Sequence, residues 1–148
     1  MAVDAGTGAV DQPNAVIDAL EICLPGEVGA IAAAADSISD KLSRLTIPEE
    51  KQMEIVLAVQ EALANAVVHG CKNDASKQVR CRLAQYADGR ILIVVSDPGS
   101  GYQQGDLPDP QRADRIYQDH GRGVYLICQL MDDVSFARNG SEIRMWKY

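Results

Sequence analysis

Hydrophobic and polar positions change their period along this chain, and the changes mark out its elements. Val28, Ile31, Ala32, Ala35, Ile38, Leu42 and Leu45 recur at spacings of three and four, which predicts a helix. Ala15 to Leu24 reads as a strand closed by Pro25-Gly26. A second helix is expected to open at Thr46-Ile47-Pro48-Glu49-Glu50, with a proline in the first turn and two acids where the helix dipole favours them. It runs to about His69, with Gly70 placed to end it. From Lys77 the period becomes two: Val79, Cys81 and Leu83 alternate with Arg80, Arg82 and Ala84. Ala87-Asp88-Gly89 makes a hairpin turn, and Arg90 to Ser96 carries an unbroken apolar run expected to be covered on both sides. Tyr102 to Asp119 is polar and reads as a long loop, of a length that is usually functional or mobile. Gly121-Arg122-Gly123 opens a third helix to about Met131, and two last strands, Val134 to Arg138 and Ser141 to Lys147, flank Asn139-Gly140. Strands and helices in this order make a two-layer α/β sandwich.

The second helix has an unusual wheel. With Glu61 at zero, Glu54 falls at about 20°, Asn65 at about 40° and His69 at about 80°. Most other directions are apolar, with Leu57 and Val68 on one side of the stripe and Ala58 and Ala62 on the other. A solvated helix face is usually wide and rich in Lys and Glu. So narrow a line of Glu, Asn and His fits a helix showing a polar edge to a specific ligand; a core helix with its stripe in water is the alternative.

Composition narrows the function classes. The 148 residues suit one domain, expected over 15–148, behind a mobile tail over 1–14 that lacks periodicity. The net charge of −7 argues against direct nucleic-acid binding, which depends on phosphate neutralisation. No apolar run is long enough to span a membrane and no signal peptide stands at the start, so a cytoplasmic protein is expected. Cys23, Cys71, Cys81 and Cys128 form no Cys-x-x-Cys pair and are expected as small reduced core residues.

Two further anchors carry candidate chemistry. Asp97 follows the apolar run and precedes Gly99 and Gly101. An ionised carboxylate accepts hydrogen bonds, so a buried Asp there would select adenine, with its exocyclic amino donor, over guanine; a plain Asp-Pro-Gly turn is the alternative. Gly121-Arg122-Gly123, at a helix start, would present backbone N–H groups to an anion, or serve only as a flexible helix entry. No P-loop motif is present.

Together these anchors resemble a family. Glu61-Ala62-Leu63-Ala64-Asn65-Ala66-Val67-Val68-His69-Gly70 looks like the N box of the Bergerat-fold, histidine-kinase-like ATPases. Asp97-Pro98-Gly99-Ser100-Gly101 looks like their first glycine box, and His120 to Ile127 like the second. The Glu-Ala-x-x-Asn-Ala-x-x-His-Gly form and the short chain resemble one branch, the bacterial anti-sigma factor serine kinases. The resemblance implies a Bergerat fold on a mixed, mostly antiparallel sheet. It implies ATP and Mg²⁺ as cofactors. Asn65 would ligate Mg²⁺ and Glu61 would orient or deprotonate the attacking hydroxyl. Asp97 would bind the adenine amino group, and Gly99, Gly101, Gly121 and Gly123 would shape the pocket and hold phosphates. Arg112, Arg115 and Arg122 are candidates for phosphate contact, and the loop between the glycine boxes would be a lid. The role of His69 is open between chemistry and a structural hydrogen bond, and His120 would cap the lid.

The function implied is an ATP-dependent serine/threonine protein kinase and anti-sigma factor. Its partners would be a STAS-domain antagonist, which it phosphorylates, and a sigma factor, which it sequesters. A homodimer is expected, with the first strand and first helix facing partners. The alternative is a nucleotide-gated module that holds a partner without phosphoryl transfer.

Overall fold

The computed structural model describes residues 14–99 and 121–148. Its elements are β1 (Val16–Pro25), a 3₁₀ turn (Val28–Ala30), α1 (Ile31–Ser43) and α2 (Glu49–Asn65), which continues as a π turn (Ala66–Gly70). Then follow β2 (Gln78–Tyr86), β3 (Ile91–Ser96), α3 (Gly121–Leu130), β4 (Asp133–Ala137) and β5 (Glu142–Lys147). Residues 1–13 of the expected tail, and the expected lid, lie outside the described residues.

The strands form one sheet in the order β1-β2-β3-β5-β4, and each described pairing is antiparallel. β5 is inserted between β3 and β4, so these two like-directed strands never become neighbours. That insertion is why the mostly antiparallel sheet expected from the sequence shows no parallel pair among the described residues. The hairpin turns fall where expected. Gly89 takes φ 94°, and Asn139 and Gly140 take φ 58° and 91°.

Period-two alternation sends Val79, Cys81 and Leu83 of β2, Ile91, Ile93 and Val95 of β3, and Ile143 and Met145 of β5 to the face that carries the helices. They join Ile38 and Leu42 of α1, Ile55, Val59 and Leu63 of α2, and Ile127 of α3 in one core cluster. The far face of the sheet carries charge. Arg80 pairs with Glu21 at 3.1 Å, and Arg144 and Arg82 reach Glu142 at 2.9 and 3.8 Å. The β3 run was expected to be covered by a layer on each side. Val94, on this far face, is buried between its register partners Arg82 and Arg144, because long arginine stems shelter an apolar neighbour.

The first helix begins later than its pattern suggested. Val28 sits in the 3₁₀ turn and is 60% exposed; Ile31 packs half-buried on the core, and Ala34 is the first fully buried residue of α1. Pro48 is the N-cap of α2 and not a first-turn residue, so the helix begins one place later than expected, and Glu49 and Glu50 occupy the first turn. Cys71 and Cys81 are buried as expected, and burial pushes the Cys81 thiol up to about 12. Cys23 is exposed, because it alternates outward on the edge strand β1. Among the described residues no helix is long and apolar enough to cross a membrane.

Candidate functional site

Two helices and one strand end bring the candidate residues together. α2 buries Ile55, Ala58, Val59, Ala62 and Leu63 against the sheet. Its polar edge, carrying Glu61 and Asn65, is half-buried. The sequence placed Leu57 and Val68 as an apolar wall beside that edge. They are instead 45% and 40% exposed. In a two-layer fold the side of a helix away from the sheet meets solvent whatever its composition, so one flank of the polar stripe is open.

Past Asn65 the helix widens. The Cys71 N–H donates to the Ala66 carbonyl at 2.8 Å, a bond spanning five residues. Such π turns inside α-helices recur at functional sites. Gly70 was expected to end the helix, and the π turn stops there. The left-handed residues of the reversal are the two that follow Cys71, Lys72 and Asn73, at φ 53° and 59°. Gly70 provides clearance, since a Cβ placed on it would fall on the carboxyl group of Asp97, 2.5 Å from Oδ1. The missing side chain is what lets the end of β3 pass over the end of α2.

Asp97 is held tightly in that corner. Its N–H donates to the Ser141 carbonyl at 2.9 Å, and its Oδ1 accepts the Gly99 N–H at 2.8 Å. Burial pushes its carboxyl above the ordinary value of 3.8, with the Gly99 hydrogen bond and the charge of Arg138 pulling the other way. A carboxylate acceptor in a partly dry corner suits a ligand amino group.

The second cluster joins α2 to α3. A Cβ on Gly123 would lie 3.1 Å from Glu61 Oε2, 3.2 Å from Asn65 Nδ2 and 3.4 Å from Asn65 Oδ1. The start of α3 therefore approaches the two polar side chains so closely that a larger residue would press on both. Backbone N–H groups in the first turn of a helix lack intrahelical partners. Here they lie beside a carboxylate and a carboxamide, an arrangement suited to a metal–phosphate group rather than a bare anion. Among the described residues no cluster of three His, Cys, Asp or Glu could hold a metal. A bound cation would take its remaining oxygens from the ligand and water, as Mg²⁺ commonly does with nucleotides.

Of the expected site residues, Glu61, Asn65 and Gly123 meet at one place, and Asp97 and Gly99 meet with Gly70 at another. Gly121 and Arg122 begin α3, but the Arg122 side chain lies outside the described residues, as do Gly101, Arg112, Arg115 and His120. His69 is exposed on the π turn. Glu54, in line with Glu61 on the wheel, pairs with Lys147 at 3.4 Å. Sequence reading missed Gly70 as a spacer and Arg138 as a cation whose charge acts on Asp97. Arg138 holds φ 53°, unusual for a side chain of its size. The Asn-Gly hairpin was legible, but not that it would bring an arginine toward the first glycine box.

The Asp97 environment has a testable consequence. A carboxyl raised above its unfolded value binds more protons in the native state, so it lowers stability as pH rises from about 3.8 through the raised value. Above that value the cost is fully present. Asp97→Asn is therefore expected to raise the melting temperature of the nucleotide-free protein at pH 7, with the gain vanishing below pH of about 4. The same change should weaken ATP binding by about tenfold, because a neutral acceptor replaces a charged one. Melting curves across pH, with and without ATP, check both.

The fold and the two clusters define a class. The chain matches the histidine kinase-like ATPase domain family over residues 24–147 and belongs to it. Within that family its curated relatives include the serine-protein kinase RsbW of Bacillus pumilus, 30% identical over 144 residues, covering 91% of this chain and 88% of the relative. RsbW of Bacillus subtilis is 28% identical over 138 residues, covering 88% and 86%. These matches place the chain in the branch of the RsbW serine-protein kinases. Solved structures share the fold as well. The RsbU and RsbW domains of Rv1364c from Mycobacterium tuberculosis give a TM-score of 0.59 at 18% identity, covering 88% of this chain and 31% of that one. The histidine kinase domain of the Erythrobacter litoralis EL346 blue-light activated histidine kinase gives 0.52 at 22% identity, covering 82% and 59%. The chain thus spans about a third of the first and three fifths of the second.

Proposed function

We propose that this protein is an ATP- and Mg²⁺-dependent serine/threonine kinase and anti-sigma factor. It phosphorylates a STAS-domain antagonist and, when that antagonist is phosphorylated, holds a sigma factor. The observation that carries the reading is the meeting of Glu61 and Asn65 with Gly123 at the start of α3. Phosphoryl transfer asks mainly for positioning and charge compensation; the cluster supports the first, and the helix N-terminus with a cation held by Asn65 would give the second.

In this reading Asp97 accepts the adenine amino group, with Gly70 and Gly99 leaving it room. The α3 N-terminus, with Gly121, Gly123 and Arg122, receives the phosphates, and Gly101 continues the first glycine box. Asn65 offers its side-chain oxygen to Mg²⁺, which supplies charge neutralisation on the phosphates when bound. Glu61 takes the proton from the partner's serine hydroxyl as that oxygen bonds to the γ-phosphorus and ADP leaves. The carboxylate lies on the same side of the helix as Asn65, one turn away, so base and metal ligand act on one group. Residues 15–148 act as one domain, working in the cytoplasm as a homodimer. β1 is an edge strand with Val16 and Ile17 exposed, an available pairing surface.

The test is transfer of label from γ-labelled ATP, with Mg²⁺, to a purified STAS-domain antagonist, with Asn65→Ala as control. Label on a serine or threonine is expected. The control should lose metal-dependent transfer by about 10²-fold or more while keeping a native far-UV spectrum. Normal transfer by Asn65→Ala would remove the Mg²⁺ assignment. Tight ATP binding with no transfer by the wild type would support the nucleotide-gated module.

A further inference from the structure

Lys147 is a buried cation remote in sequence from every glycine box. It lies near the end of β5 on the helix-covered face, opposite Ile91 in the register, and its side chain is 8% exposed. Its Nζ donates to the Leu130 carbonyl, the last of α3, at 2.5 Å. The same ammonium stands 3.4 Å from Glu54 Oε2 of α2. One charge therefore joins the sheet to both helices of the candidate site. A cation at a helix C-terminus answers both the unpaired carbonyl and the negative end of the dipole.

The spacing gives this contact its meaning. Glu54 precedes Glu61 by seven residues in α2, and Leu130 follows Gly123 by seven in α3. Each pair is separated by about two turns, or about 10 Å. Glu61 and Gly123 nearly touch at one end, and Glu54 and the Leu130 carbonyl share Lys147 at the other. The helices thus run antiparallel, pinned at two points two turns apart. At the site end the gap has no room for a methyl group without pressing on Glu61 and Asn65. A small slide or tilt of α3 along α2 would alter that gap, and the far-end pin opposes such motion.

We propose that Lys147 is a positioning residue for the nucleotide site. By holding Glu54 and the end of α3 together, it sets the spacing of α2 and α3 where Glu61, Asn65 and Gly123 meet, and thereby sets nucleotide affinity. It touches no nucleotide itself. Glu54 belongs to the same device, which explains why a second carboxylate lies on the stripe that carries Glu61. Neighbouring bonds fasten the same corner: Asp132 N–H to the Trp146 carbonyl at 2.9 Å, and Tyr148 N–H to Asp132 Oδ2 at 2.6 Å. These keep the chain in place when the ammonium is removed, so a substitution there is expected to change spacing without unfolding the domain.

This inference rests on the ATP reading above, and its test separates the two. ATP dissociation constants are measured calorimetrically with Mg²⁺, well below each variant's melting temperature, for wild type, Lys147→Met, Lys147→Arg and Glu54→Gln. Lys147→Met is expected to weaken ATP binding by about tenfold. Lys147→Arg, which can still bond both partners, should stay within about threefold of wild type. Glu54→Gln should shift affinity in the same direction as Lys147→Met, by about threefold. Rescue by arginine is the readout that simple packing would not produce. A folded Lys147→Met that binds ATP like wild type overturns the inference and leaves the ATP reading standing. If Lys147→Met fails to fold, an unchanged affinity in Glu54→Gln overturns it instead. A wild type that binds no ATP overturns both.

Discussion

Replacing Glu61 with glutamine is expected to lower phosphoryl transfer by about 10²–10⁴-fold, the usual contribution of a positioned general base. ATP affinity should stay within about threefold, because glutamine keeps the length and shape that pack beside Gly123. The reason lies in what the substitution removes. Glu61 and Asn65 stand one turn apart on one edge of α2, and both reach the start of α3. A carboxamide there can still accept one hydrogen bond from a serine hydroxyl, but it cannot take the proton. An effect confined to the transfer step identifies a group that acts in the transition state. Single-turnover transfer at saturating ATP, beside calorimetric ATP binding, separates the two quantities. A rate within about tenfold of wild type would assign the base elsewhere; a loss of affinity equal to the loss of rate would make Glu61 a binding residue.

Replacing Gly70 with alanine should have an effect of similar size by a different route. The added Cβ would sit on the Asp97 carboxyl group. Asp97 has little freedom to withdraw, since its backbone N–H is bonded to Ser141 and its Oδ1 to the Gly99 N–H. Either the carboxylate leaves its corner or α2 and β3 move apart. The expected cost is about 1–3 kcal/mol of stability, the range for overpacking a tight site. ATP affinity should fall by about 10²-fold, because Asp97 loses its place. A second substitution distinguishes steric from chemical damage. Asp97→Ala added to Gly70→Ala should restore much of the stability and none of the ATP binding. Non-additivity of that kind is the mark of two residues in direct contact. Additive stability losses would show that Gly70 matters for a reason other than Asp97.

The device proposed for Lys147 ties these two predictions to the rest of the fold. Both depend on how closely the walls of the site approach one another, and on ångström-scale clearances a sequence pattern does not record.

Much of the site was legible because the chemistry is local. Glu61 and Asn65 share a helix edge through a spacing of four, which any α-helix enforces. The second glycine box opens α3 as read, and the Asn-Gly hairpin follows it. Period-two alternation gave the strands and their inward faces, and the family match confirms the resemblance that the three boxes carried. What the pattern misjudged was outward exposure. Leu57, Val68 and Val28 are apolar at helical spacing yet lie open, because periodicity states which residues can share a face but not whether anything covers it.

By itself the sequence determined the elements, their order, the polar edge of α2 and the glycines at the ends of β3 and α3, since these follow from backbone period and residue type alone. Only the tertiary structure decided that Gly70, besides ending the helix, serves as clearance for Asp97. It alone put Arg138 within electrostatic reach of Asp97, inserted β5 between β3 and β4, and brought Lys147 to Glu54 and Leu130. The reason is physical. Each of these is a contact between residues far apart in the chain, chosen by how helices settle on a twisted sheet, and local propensity carries no information about where two distant surfaces meet.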